Sequence, residues 1–307
     1  MKGLELARAY YQEHGKKMLE EEFPAYAGRI ACGIAGEGSE NLGFDDMISR
    51  DHDFGAGFCM WLTDEDYDET GKELHEAYLM LPKTFGGFPV RDPLSYGERR
   101  LSAIRISSYY KKFTNCTDGP KTLFEWAGIP EHFLAAATSG EVFYDPLGKF
   151  TEIRNRLLAF YPDDVRLLLI GKRAFTMGQA GQYNYPRCVK RGEMVAANLA
   201  LAEFINAACS ITYLLNRRYS PYYKWAHRGI RDLPVLSEIH GLLNDVCVSN
   251  TLIDDKAYMI EQICVLITQE MKAQKIIETD ESFLANLADE VYARIKDDSI
   301  RGFRRSV

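Results

Sequence analysis

Near residue 150 the chain changes texture, and this limits the folds open to it more than any other feature. Before that point, short apolar runs of strand length (IACGIA, DHDFGAGFCMWL, AIRISS and EVFYD) alternate with amphipathic stretches. After it, segments 150–160, 163–177, 188–217, 233–249, 254–277 and 281–297 all repeat their apolar residues at helical spacing. The expectation is an α/β (α+β) protein: a mixed-sheet N-terminal domain over 1–148 followed by an all-helical C-terminal domain over 149–307. No internal repeat or heptad run competes with this reading.

Local signals fill in the first half. Leu4, Ala7, Tyr11, His14 and Met18 share one face at spacings of three and four, so residues 4–23 read as an amphipathic helix. Residues 64–81 read as a helix capped by Thr63 or Asp64. FGGFPVRDPLSYGE is loop-like, two short helices follow at 121–127 and 130–138, and GQAGQYNYPR at 178–187 reads as a loop between helices.

Charge is unevenly distributed. The chain has 37 Lys and Arg against 44 Asp and Glu, a net charge of -7, which disfavours binding to long nucleic acid through bulk positive charge. Residues 1–150 carry 25 acids and 16 bases, whereas 153–231 carry 4 acids and 13 bases. An acidic half beside a basic segment suits a site that holds metal ions and phosphates. Seven cysteines without CxxC pairs read as reduced thiols. No leader-like core and no apolar run of about 20 residues stands out, so the expectation is a cytoplasmic protein with no membrane partner.

The chemistry concentrates in GEGSENLGFDDMISRDHDFG, residues 36–55, with six acids and one base. Asp51 and Asp53 stand at the expected start of a strand, where a period of two points both carboxylates to one face and His52 to the other. Two adjacent hard oxygen ligands are what Mg²⁺ takes from a protein, the rest of its octahedron being water and phosphate. Gly38-Ser39 upstream offers backbone N–H groups and a hydroxyl that a phosphate can approach closely. An isolated Asp-x-Asp is most often a solvated strand end; the Gly-Ser at this distance and the apolar strand that follows turn the balance towards metal binding. Asp45 and Asp46 read as loop residues in water. Asp53-Phe54-Gly55 spells the kinase magnesium motif, but no catalytic-loop sequence accompanies it. Gly36-x-Gly38 ends on Asn41 instead of completing the dinucleotide-binding fingerprint.

Gly38-Ser39, eleven intervening residues and Asp51-His52-Asp53 resemble the signature of the nucleotidyltransferase (polymerase beta-like) superfamily. The wider string, with GEVFYDPLGKF, GQYNYPRCVKRGE and LLNRRYSPYYKW, resembles an uncharacterised bacterial domain-of-unknown-function family within it. The resemblance implies that Asp51 and Asp53 bind two Mg²⁺ ions, that Ser39 holds the β- and γ-phosphates of a nucleoside triphosphate, ATP foremost, and that a nucleoside monophosphate passes to a hydroxyl of a small molecule or protein. It also implies a third carboxylate on a neighbouring strand. Ala103-Ile104-Arg105-Ile106 has no acid, which leaves Glu98, Glu141 or Asp145 to supply it.

In the helical half, Arg187 and Arg191 are four apart and could fork onto phosphate oxygens. Lys224 could act as a point charge on a triphosphate, and Tyr222 or Trp225 could stack on a base. The alternative for these residues is interface packing and ion pairing. Rival functions are a catalytically inactive nucleotide-binding regulator and an antitoxin-like interaction protein on the same fold.

Overall fold

The computed structural model of the protein describes residues 1–51, 54–95, 98–248 and 253–303. It is mixed α/β, and its contacts divide the chain into two compact units. The first comprises Met1–Pro120 with Phe133–Ala159, and the second Lys121–His132 with Phe160–Val307. The division is therefore not one cut near residue 148: the short helix Leu123–Gly128 packs on Asp163–Met177 and goes with the helical unit.

The first unit is built on a four-stranded mixed sheet of β1 (Ala31–Ile34), β2 (Cys59–Leu62), β3 (Ser102–Arg105) and β4 (Glu141–Tyr144), in the order β3-β2-β1-β4. β1 runs antiparallel to both β2 and β4, and β2 runs parallel to β3. A parallel pair needs a crossover, and helix Asp64–Met80 lies in it, its start capped by the Thr63 hydroxyl accepting from the Asp66 N–H at 3.2 Å. β1 and β2 are buried at every position, so they read as apolar runs rather than alternating ones.

The core of this unit is aromatic. Trp61 stacks on Phe150 with centroids 3.9 Å apart, and Tyr109 and Tyr110 from helix Ile106–Thr114 each meet the Phe150 ring at 5.1 Å. The N-terminal amphipathic segment is helical over Gly3–Glu22 but contains a π turn at Tyr11–Gly15. The wider turn rotates the buried face, so that Leu6, Tyr10 and Leu19 are buried in place of Leu4 and His14.

Three expectations are corrected in this unit. The strand after Asp53 begins only at Cys59, because Ala56 bonds instead to the 89–91 backbone: its N–H donates to Pro89 O and its carbonyl accepts from Arg91 N–H. AIRISS is strand only as far as Arg105, and helix Ile106–Thr114 follows at once. The loop at 85–98 contains two small hairpins, Thr84–Phe85 with Phe88–Pro89 and Leu94–Ser95 with Glu98–Arg99.

In the second unit all the described secondary structure is helical. The segment 178–187 is no loop. Helix Asp163–Met177 runs on through a π turn, Gly178–Asn184, into Tyr185–Lys190. Its glycines serve close packing instead: a Cβ on Gly178 would stand 2.4 Å from the Ala285 backbone nitrogen, and one on Gly181 2.3 Å from the Phe204 ring. Helix Met194–Leu215 packs on this continuous rod. It corrects the expectation that no apolar run reaches membrane-spanning length, since its 22 residues are long and apolar enough to cross a bilayer. Its C-terminal half, Ala207 to Leu215, is buried on all sides within the unit, which is how a core helix acquires such a composition.

A buried polar cluster ties Glu131 to two helices of this unit, Asp163–Met177 and Met194–Leu215. Glu131 Oε2 accepts from the Ser210 hydroxyl at 2.6 Å and lies 3.4 Å from Arg173 Nη2, while Arg173 Nε donates to Ser210 Oγ at 2.8 Å. Burial outweighs these partners and raises the Glu131 pKa above its ordinary value. A carboxyl whose folded pKa is raised contributes stability that is fully present below its unfolded pKa and lost as pH rises through the folded value. Glu131→Gln is therefore expected to gain Tm relative to the parent between pH 4 and 8, the gain growing with pH; a constant difference in melting scans across that range contradicts it.

Candidate functional site

Strand directions bring the end of β1 and the starts of β2, β3 and β4 to one end of the sheet. Because β1 is antiparallel to β2 and β4, the C-terminal end of β1 adjoins their N-terminal ends, in the pairs Gly33–Cys59 and Ile34–Glu141. Since β2 is parallel to β3, Ser102, the first residue of β3, stands opposite Cys59 at this end too.

The turn that leaves β1 here is Gly36–Ser39. Gly36 has φ 107° and Gly38 φ 140°, values that only glycine adopts readily, and Ser39 opens a 3-10 turn at Glu40–Leu42. Buried polar groups hold the turn from below. The Asn41 amide donates to Gly36 O and Glu37 O at 3.1 and 3.2 Å, and the Ser139 hydroxyl donates to Gly36 O at 2.7 Å. Ser39 keeps its carbonyl in the fold, accepting from the Leu42 and Phe44 N–H groups, while its half-buried hydroxyl makes no hydrogen bond among the described residues. A rigid glycine turn with a spare hydroxyl is the local geometry that phosphate binding requires.

Charged side chains surround the turn. Glu37 lies 3.2 Å from Lys112 Nζ and 3.7 Å from Arg100 Nη2. Glu40 and Arg91, both largely buried, pair at 2.6 Å. Lys112 and Arg100 were missed by sequence reasoning, because they lie about 60 to 75 residues from Gly36–Ser39 and belong to no local motif. The Cys59 thiol at the same sheet end donates to Arg100 O at 3.1 Å, and burial pushes its pKa up to about 12, so it remains a protonated packing group.

The acidic segment divides. Asp45 is not in water: it is 5% exposed, accepts from the Gly3 N–H at 3.0 Å and pairs with Lys2 at 3.3 Å, fixing the start of the N-terminal helix. Asp46 is exposed as expected and shapes the next turn by accepting from the Ile48 and Ser49 N–H groups at 3.0 Å. Asp51 ends a 3-10 turn, Ile48–Asp51, and does not stand on a strand; its side chain lies outside the described residues, as does Asp53. Arg50 beside it lies over the rings of Phe54 and Phe88 at 5.2 and 5.6 Å. Among the described residues no group of three or more His, Cys, Asp or Glu is placed to hold a metal ion.

The three candidates for a further carboxylate part company. Glu141 is at the correct sheet end and pairs with Arg8. Asp145, past the other end of β4, accepts from the Thr151 N–H at 2.8 Å and serves as a local cap. Glu98 is in the second hairpin, with its side chain outside the described residues. β3 carries no acid: Arg105 at its far end bonds Asp68 at 2.5 Å and Asp64 O at 3.0 Å.

Arg187, Arg191, Lys224 and Tyr222 belong to the helical unit. Arg187 and Arg191 are exposed; Arg187 lies over the Tyr183 ring at 4.6 Å, and Arg191 caps helix Tyr185–Lys190. Lys224 lies over the Trp225 ring at 5.2 Å, and half-exposed Tyr222 meets the His132 ring edge-on at 5.9 Å. Asn216 and Tyr219, from the same basic segment, are structural: Asn216 exchanges hydrogen bonds with the Val235 backbone, and Tyr219 packs on Phe160 and Tyr161.

Residues 126–226 match the model of a domain of unknown function, DUF4037. This segment is similar to that domain. It contains the three later strings, 140–150, 181–193 and 214–225, that resemble an uncharacterised family, and it leaves out the 36–55 segment with Gly38, Ser39, Asp51 and Asp53. A crystal structure of a nucleotidyltransferase-like protein from Exiguobacterium sibiricum 255-15 aligns with 94% of this chain and 91% of its own, at 10% identity and a TM-score of 0.38. No curated protein matches the chain.

Proposed function

We propose that the protein transfers a nucleoside monophosphate, AMP from ATP foremost, to a hydroxyl of a small molecule or a protein, releasing pyrophosphate. The observation that supports this reading is the convergence at one sheet end of the stapled Gly36–Ser39 turn, the Lys112–Arg100 pair, Glu141 and the start of β2, which Asp51 and Asp53 precede in sequence. In it the turn amides and the Ser39 hydroxyl hold the β- and γ-phosphates, and Lys112 and Arg100, both near Glu37 of the turn, add positive charge beside them. Two carboxylates in Asp-x-Asp spacing are a hard-oxygen donor set that fits Mg²⁺, and Asp51 and Asp53 would hold it. When bound, the ion withdraws charge from the transferred phosphate and lowers the pKa of the attacking hydroxyl. Glu141, once released from Arg8, offers the additional carboxylate.

One observation favours a second reading. β3, where related enzymes are expected to place an acid, ends on Arg105 bound to Asp68, which suits a nucleotide-binding regulator that performs no transfer. Incubating the whole protein with Mg²⁺, each labelled nucleoside triphosphate and a cell extract as acceptor separates the two. Release of pyrophosphate that depends on the acceptor is the expected result. Triphosphate binding without release favours the regulator, and the absence of both overturns nucleotide chemistry altogether.

A further inference from the structure

The helical unit contains a cavity of about 930 Å³, within the size range of small-molecule sites. It is lined by the start of helix Asp163–Met177, the segment Gln274–Ile276 that follows helix Ile253–Ala273, and the segment from Glu290 to Lys296. Arg166 lines it and is 6% exposed. Its Nε donates to Leu214 O at 2.9 Å and its Nη2 donates to Gln274 Oε1. The Gln274 amide is itself held by Leu215 O and Glu270 Oε1, at 2.8 and 2.7 Å. Both partners of the guanidinium are neutral, and among the described residues no carboxylate stands at ion-pairing distance from it.

A buried guanidinium whose bonded partners are neutral is costly: Asp163 and Glu270 act on it only from beyond ion-pairing distance and Arg217 opposes them, while only its Nε and Nη2 are hydrogen-bonded. Burial lowers its pKa only to about 10, so it stays charged at neutral pH. The acids around the cavity are already engaged: Asp163 pairs with Arg217 at 2.9 Å, Asp164 accepts from the Lys296 and Asp297 N–H groups, and Glu290 accepts from the Glu278 N–H and the Thr279 hydroxyl. Lys275 and Lys296 line the same cavity, are exposed, and have no side-chain partner among the described residues. Three cations with no carboxylate at ion-pairing distance among the described residues therefore share one cavity whose walls also include Leu123, Leu167 and Ile276.

We propose that this cavity binds an organic phosphate, its phosphate group compensating Arg166, Lys275 and Lys296 and its apolar body lying against Leu123, Leu167 and Ile276. A guanidinium forks onto phosphate oxygens, and the two ammonium groups act as point charges for a dianion. The site is independent of the sheet-end turn and does not rest on the nucleotidyltransferase reading.

The test is calorimetric titration of the whole protein with phenyl phosphate and with inorganic phosphate at low salt. Phenyl phosphate is expected to bind one per chain and to raise Tm. The double variant Lys275→Gln/Lys296→Gln, which changes only exposed side chains, is expected to weaken it by at least about tenfold. Arg166→Met is expected to abolish binding, and if it fails to fold the lysine variant carries the test. Ser39→Ala is expected to leave the affinity unchanged. No binding of either probe up to about 10 mM, or an unchanged affinity in the lysine variant, overturns the site. Equal or tighter binding of inorganic phosphate overturns the assignment of an apolar body.

Discussion

Asp53→Asn is expected to lower pyrophosphate release by at least about 10³-fold, close to 4 kcal/mol of activation free energy, while leaving Tm unchanged. The substitution keeps the side chain's shape and removes the negative charge that a hard divalent cation selects. Asp51→Asn is expected to behave alike, because a two-carboxylate site that loses either member no longer neutralises the ion. The result is read by single-turnover release at saturating triphosphate, alongside equilibrium binding of the same nucleotide. Full activity in both variants sinks the transferase reading. Loss of binding together with loss of release, without a change in Tm, would place both carboxylates in nucleotide binding.

Phe150→Ala is expected to cost about 3–5 kcal/mol of unfolding free energy, the range for emptying a large aromatic site in a core. Phe150 is 0% exposed and sits between Trp61 of β2 and the two tyrosines of Ile106–Thr114, with the Trp61 ring only 14° from parallel. Each such ring pair adds roughly 0.5–1.5 kcal/mol beyond area burial. These contacts join a strand of the sheet to the helix that carries Lys112, so the variant is also expected to weaken triphosphate binding. Urea denaturation provides the measurement. A cost below about 1 kcal/mol would mean that the cluster does not hold the sheet to this helix.

Reading by pattern succeeded where one segment carries both cause and effect. β1 with its glycine turn, the Thr63-capped helix, β4 and the helical second half are all settled within windows of a dozen or so residues. It failed where a distant segment competes. The stretch after Asp53 is apolar enough for a strand throughout, yet its first part bonds to the 89–91 backbone and only Cys59–Leu62 joins the sheet. The glycines of 178–187 look like loop residues until Phe204 and Ala285 are seen to need the space a side chain would fill.

The amino-acid order alone determined the fold class, the helical second half and the Gly38-Ser39 and Asp51-x-Asp53 spacing, because periodicity and motif are local properties. Only the tertiary structure brought Lys112 and Arg100 to Glu37, buried Asp45 against the first helix and set Arg166 beside a cavity with neutral hydrogen-bond partners. These depend on which distant segments share a sheet end or a helix seam. Such pairings cost chain entropy that is recovered only when the whole unit packs, so no short stretch of sequence records them.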